Sequence, residues 1–140
     1  MRALRHGTLA LALTLVFAAC VPGAAGGLRG GVLATFDVTG ETFKVWVTNK
    51  ATIQQLIDLR DGRREGGIPN GRILRGSGAG GHNAPWSWHL DPEDVHLADI
   101  TMELCDGAPW YVEENVDEYV DNVQRYCSWA AELVGLEDLR

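Results

Sequence analysis

Pro85-Trp86-Ser87-Trp88-His89-Leu90-Asp91-Pro92 places two tryptophans, a histidine and two prolines within eight residues. Side chains at i and i+2 of an extended segment share one face, so Trp86 and Trp88 anchor that face of a sheet with their large apolar area. Asp91-Pro92 followed by Glu93-Asp94 ends the run, because Asp before Pro suits a turn or a single helical turn. The stretch therefore predicts a strand over residues 86–90 seated on a core, and the rest of the chain must supply its partners.

Upstream, residues 32–38 read as a strand and Thr39-Gly40-Glu41 as a hairpin turn. Residues 42–48 then alternate Phe43, Val45 and Val47 against Thr42, Lys44 and Trp46, which predicts an opening β-hairpin. Asn49 or Thr52 caps a helix through about Arg60, with Ile53, Leu56 and Ile57 on one narrow stripe. Residues 61–81 hold eight glycines, interrupted by Ile68-Pro69 and by residues 72–75, which can form one short strand, and residues 76–81 read as a mobile surface loop. Within it Gly76-Ser77-Gly78-Ala79-Gly80-Gly81 matches G-x-G-x-x-G, but an aromatic extended run follows where a phosphate site needs a helix.

Downstream, residues 95–104 alternate, with Ala98, Ile100, Met102 and Leu104 on one face and Asp99, Thr101 and Glu103 on the other, the best strand pattern in the chain. Cys105-Asp106-Gly107 closes it. Pro109 opens a helix over residues 110–122 with Trp110, Val116, Tyr119 and Val120 on its apolar side, and residues 129–136, which suit either a short helix or a closing strand, lean toward the strand. The sum is one α+β domain, an antiparallel sheet of four to six strands with two helices packed against it.

The chain has 140 residues, the size of one compact domain with a single core. Residues 1–19 read as an export signal: Arg2, Arg5 and His6 precede an apolar run too short to span a bilayer, and small residues follow. Two processing routes stay open. Phe17-Ala18-Ala19-Cys20 resembles a lipobox that lipidates Cys20, the only membrane contact expected, whereas Gly23-Ala24-Ala25 suits cleavage and release. Residues 20–31 then form a flexible tether, and 32–140 the domain. Either route removes Cys20 from disulfide chemistry and leaves Cys105 and Cys127 as one pair in an oxidising compartment.

Loss of Arg2 and Arg5 leaves 10 basic residues against 19 acidic ones, about −9, which makes nucleic acid and anionic lipid poor partners. The charge is also segregated. Between Arg75 and Arg125 lie eleven Asp and Glu and no Lys or Arg. A hard-cation site, with calcium held by Asp91, Glu93 and Asp94, competes there with a plain solvated acidic face.

His89 and His96 stand seven residues apart across the turn, where they can face one another and, with Asp91 or Asp94, resemble a loose metal set without a recognised ligand spacing. A hydrolase would use His89 as base and Asp91 as orienter, with Ser87 as the nearest hydroxyl, but no nucleophile-elbow sequence is present. Catalytic residues are therefore not assigned. Trp86, Trp88, Trp110, Tyr111 and Trp129 offer an aromatic platform for sugar or peptide, with Trp86, Trp88 and His89 as the binding candidates. A domain this small is expected to keep at least three of those five aromatics inside. These readings lead to an exported, non-enzymatic module for an extracellular polymer, protein or calcium ion, with a small secreted hydrolase centred on His89 as the alternative.

In order and spacing, Pro85-Trp86-Ser87-Trp88-His89-Leu90-Asp91-Pro92, Met102-Glu103-Leu104-Cys105-Asp106-Gly107, Tyr111-Val112-Glu113-Glu114 and Tyr126-Cys127-Ser128-Trp129 resemble the BP-seventy-four-like N-terminal domain family. Phe43-Lys44-Val45 and Gly71-Arg72-Ile73-Leu74-Arg75-Gly76 fit it too, so the resemblance spans residue 32 to the end. Ser128 departs from the pattern, which has proline between the cysteine and Trp129. The resemblance implies a small exported domain with this fold and cysteine pair, and it carries across no catalytic residues.

Overall fold

The computed structural model describes residues 27–140; the expected export signal and Cys20 lie outside them. The chain opens with β1 (Val32–Val38) and β2 (Glu41–Val47), paired antiparallel with Val38 opposite Glu41. Their two-residue loop, Thr39 at φ 53° and Gly40 at φ 97°, has both centres left-handed, which matches the right-handed twist of the flanking strands. The Asp37 carboxylate accepts the Gly40 N–H at 3.1 Å and steadies the β-branched Thr39 in that conformation.

Helix α1 (Lys50–Arg60) begins where the Asn49 side chain accepts from Ala51 N and Thr52 N, satisfying two amides of the first turn. It docks through Thr52, whose hydroxyl donates to Val95 O at 2.7 Å, and Gln55, whose carbonyl accepts Leu97 N at 3.1 Å. Strand β3 (Ile68–Arg75) follows, then β4 (Trp88–Leu90) and β5 (His96–Ala98). Helix α2 (Pro109–Glu114), a π-helical turn (Glu118–Val123), β6 (Arg125–Cys127) and β7 (Ala131–Asp138) complete the domain.

The fold is α+β with antiparallel strands and one disulfide, and the strands divide into two sheets. One has the order β2-β1-β7, and the other has β3 pairing with β4, β5 and β6. Asn70 faces both His96 and Cys127, so β5 and β6 flank β3. The sheets close on one core in which Phe43 of β2, Trp88 of β4 and Tyr126 of β6 meet, with ring centres 5.8, 5.3 and 5.1 Å apart.

Several expectations are corrected. The strand expected over 95–104 stops at Ala98, because Ala98 pairs with Ile68, the first residue of β3. Beyond it there is no partner backbone, and Ile100, Met102 and Leu104 stand exposed. The single helix expected over 110–122 breaks at Asn115, whose side-chain amide donates to Tyr111 O at 2.8 Å. The chain resumes in the π-helical turn, where Gln124 N reaches back five residues to Tyr119 O.

The short strand seen at 72–75 extends back to Ile68 and forms the spine of the second sheet. Gly30 and Gly31, expected in the tether, pair with Leu139, Gly30 donating to its carbonyl and Gly31 accepting its N–H, each at 2.9 Å. Gly31 also lies against Trp46. A Cβ there would fall 2.3 Å from Val47 O, so a side chain at this position would force the chain off the sheet.

Candidate binding surface

The segment expected to anchor the fold does so through Trp88, but the strand expected over 86–90 begins only there, and Trp86 lies in the bend before it. Trp88 is fully buried and stacks at 6.3 Å on Trp86, which is half-buried and donates its indole N–H to Thr42 O at 2.9 Å. The other three aromatics are not inside: Trp110 is 49% exposed, Tyr111 47% and Trp129 48%. The expectation that at least three of the five are core therefore fails. The core volume is met instead by Phe36, Phe43, Tyr119 and Tyr126.

The histidine readings rearrange as well. His89 meets His82, not His96, with the two rings edge to face at 5.8 Å. His89 Nδ1 lies 2.7 Å from Gly76 O and His82 Nδ1 2.9 Å from Ala79 O, so both rings pin the glycine-rich turn. Asp91 does not orient His89. Its carboxylate is held by Arg72 at 2.7 Å and by Glu93 N at 3.0 Å. Burial works to raise the Asp91 carboxyl, but these donors outweigh it and hold the group below its ordinary value. Ser87 gives its backbone N–H to Glu113.

The three carboxylates considered for calcium are engaged separately. Asp94 binds Arg72 N at 2.7 Å and Arg125 at 2.9 Å, and Glu93 accepts from the Thr48 hydroxyl. Among the described residues no group of three or more His, Cys, Asp or Glu is arranged to hold a metal ion.

His82 is buried with Nε2 unpartnered. Burial pushes its imidazole below the ordinary value, assisted by nearby His89 and Lys44 and opposed by the Ala79 carbonyl. The folded state thus resists a proton that the unfolded chain accepts near pH 6.5. Stability should be level above that pH and should fall as pH drops through it, until the depressed folded value is passed. Urea midpoints at pH 7.5 and 5.0 should differ less for His82→Gln than for the wild type; equal slopes would show that His82 does not carry the effect.

The disulfide joins Cys105 to Cys127 with Cα atoms 5.1 Å apart, and a cleft opens beside the residues that flank Cys105. The cleft holds about 540 Å³ and is lined by Glu103, Leu104, Asp106, Tyr111, Asn115, Glu118, Tyr119 and Val123, within the range of ligand pockets. Tyr119 anchors its floor by donating its hydroxyl to Asp106 O at 2.5 Å. Burial first, then Tyr111 and Asp106, push that phenol up to about 12, so it stays a donor at any physiological pH. The π-helical turn brings Glu118 and Tyr119 to this wall, a local distortion frequent at functional sites.

Electrostatics single out the same cleft. Of the eleven acids between Arg75 and Arg125, five form ion pairs: Asp91 with Arg72, Asp94 with Arg125, Asp99 with Arg64, and Asp117 and Asp121 with Arg75. The other six have no cationic partner among the described residues, and three of them, Glu103, Asp106 and Glu118, line the cleft. At its rim Trp110 sets its ring edge to face against Tyr111 at 5.8 Å, and exposed Leu104 and Met102 lie on the segment opposite. Of this set only Trp110 and Tyr111 stood out in the sequence as platform residues. The acids were legible as a charge excess without a position.

A two-sheet α+β domain closed by one disulfide, with an acidic, aromatic-rimmed cleft beside the bridge, defines a small stapled scaffold that presents a surface. Residues 31–139 match the family model described as the BP-seventy-four N-terminal domain, and the chain belongs to that family. No curated protein and no solved structure matches it.

Proposed function

We propose that the domain is an exported, non-enzymatic binding module whose ligand is an extracellular protein presenting a basic surface with apolar side chains among the charges. The observation that carries this reading is the coincidence, in one cleft, of three carboxylates without cations and a rim of exposed Leu104, Trp110 and Tyr111. Aromatic and long aliphatic side chains exposed together supply the anchors of protein interfaces, and unpaired carboxylates around them steer a basic partner and speed its encounter. Export is supported by the basic and apolar leader and by the cysteine pair, since a disulfide persists outside the reducing cytoplasm.

The test is biolayer interferometry of the domain against protein and polysaccharide fractions of the host's extracellular material. The protein fraction should bind, more weakly as salt is raised. Tyr111→Ala and Glu118→Lys should each weaken binding about tenfold, or about 1.4 kcal/mol. Binding confined to polysaccharide, or variants indistinguishable from wild type, would reject the reading.

A further inference from the structure

We propose that the free edge of β7 takes up an extended segment of a partner protein as an added strand, one in which apolar and basic residues alternate. Among the described residues, strand β7 pairs with β1 along one side only. A row of main-chain donors and acceptors is thereby left open, which is the template on which strand addition works.

The edge is not merely bare. A groove of about 440 Å³ runs along it, floored by Leu133 and Leu136 and walled on the far side by Leu59, Gly67 and Ile68. Alternate side chains of an added strand would drop into that apolar trough. A bulge between Thr35 and Phe36 interrupts the register, leaving Val134 of β7 without an opposite residue. Val134 is 59% exposed, and Trp129 stands half exposed at the groove's end. Bulges and charges are devices that protect an edge from indiscriminate pairing, yet these large apolar groups remain open beside the trough.

Gly135 points in the same direction. A Cβ there would meet only Thr35, at an ordinary 3.5 Å, so packing within the domain does not require glycine. Gly135 flanks the bulge, a common place for glycine in a strand, and it leaves the edge backbone there without a side chain over it.

Charge selects the occupant. Glu132 and Glu137 lie on β7 without an ion pair among the described residues, while Arg60 in the groove is taken by Asp61 at 2.8 Å. A second copy pairing edge to edge would set these acids against themselves, and like charges across a strand pair are destabilising. A strand bearing lysine or arginine at alternate positions meets them favourably. This surface is separate from the disulfide cleft, so the two readings stand or fall independently.

The experiment uses the exported domain with three synthetic octapeptides: (Val-Lys)4, (Val-Glu)4, and (Val-Lys)4 with alternate amides N-methylated. Binding is read by isothermal titration calorimetry and by hydrogen exchange of the β7 amides. (Val-Lys)4 should protect β7 amides and bind about tenfold more tightly than (Val-Glu)4, the sum of a few cross-strand charge pairs. N-methylation should abolish protection, Glu132→Lys with Glu137→Lys should reverse the charge preference, and Tyr111→Ala should change nothing. Equal binding of the N-methylated peptide, an unchanged preference in the charge-reversed variant, no binding of any peptide at millimolar concentration, or dimerisation through β7 would each overturn the proposal.

Discussion

Trp88→Ala should destabilise the domain by about 3–5 kcal/mol, the range for deleting a buried aromatic. Trp88 has no exposed surface, and its ring touches Phe43 from one sheet and Tyr126 from the other. The cavity would open at the seam between sheets. Neither wall can readily collapse into it, because Phe43 is tied into the β1–β2 ladder and Tyr126 into β3. Small domains are stable by about 5–15 kcal/mol, so the loss consumes roughly a fifth of the total at the least. Trp88→Phe should cost much less: the indole N–H has no partner, so the substitution removes volume without breaking a hydrogen bond. Urea unfolding followed by circular dichroism measures both, and a Trp88→Ala loss below about 1 kcal/mol would mean that the sheets share no tightly packed seam.

Removing the bridge with Cys105→Ala and Cys127→Ala together should cost about 3 kcal/mol, because the oxidised chain closes a loop with a sequence separation of 22 that the unfolded state would otherwise explore. A domain of this size should then melt roughly 10–20 °C lower. The same shift should appear when the wild type is melted with reductant, and reductant should not alter the double variant. The loss should also reach the cleft. Asp106, next to Cys105, accepts the Trp129 N–H at 2.9 Å, and this bond holds the two cysteine-bearing segments in register. Coincident melting curves with and without reductant would show that the bridge adds nothing.

What the sequence reveals follows from the range of the forces involved. The hairpin and the Asn49 cap depend on residues near in sequence, and both are legible there. The cysteine pair is legible by elimination. Residues 95–104 carry a better alternating pattern than β7, yet only three of them form a strand, because the limit is the start of β3 at Ile68, a long-range fact that no local pattern contains. Asn115 looks ordinary within a helical pattern until Tyr119 must reach Asp106, and that tertiary demand breaks the helix and creates the cleft wall. Likewise the acid excess is visible as composition, whereas the separation into paired and unpaired carboxylates depends on which arginines β3 and β6 bring across.

The first and last strands run side by side and end together, with Gly30 bonded to Leu139 and Val32 opposite Asp138. Anything that holds the chain before Gly30 and anything that pulls beyond Leu139 therefore act on the same corner of the sheet. A tensile load applied there would part the β1–β7 ladder one rung at a time from the Val32 end, because the hydrogen bonds lie along the pull and break in series instead of sharing it. As a mechanical element the domain would be soft, opening like a zipper under small force. It would serve as a pendant hung from one point and would bear little tension if made a link in a chain.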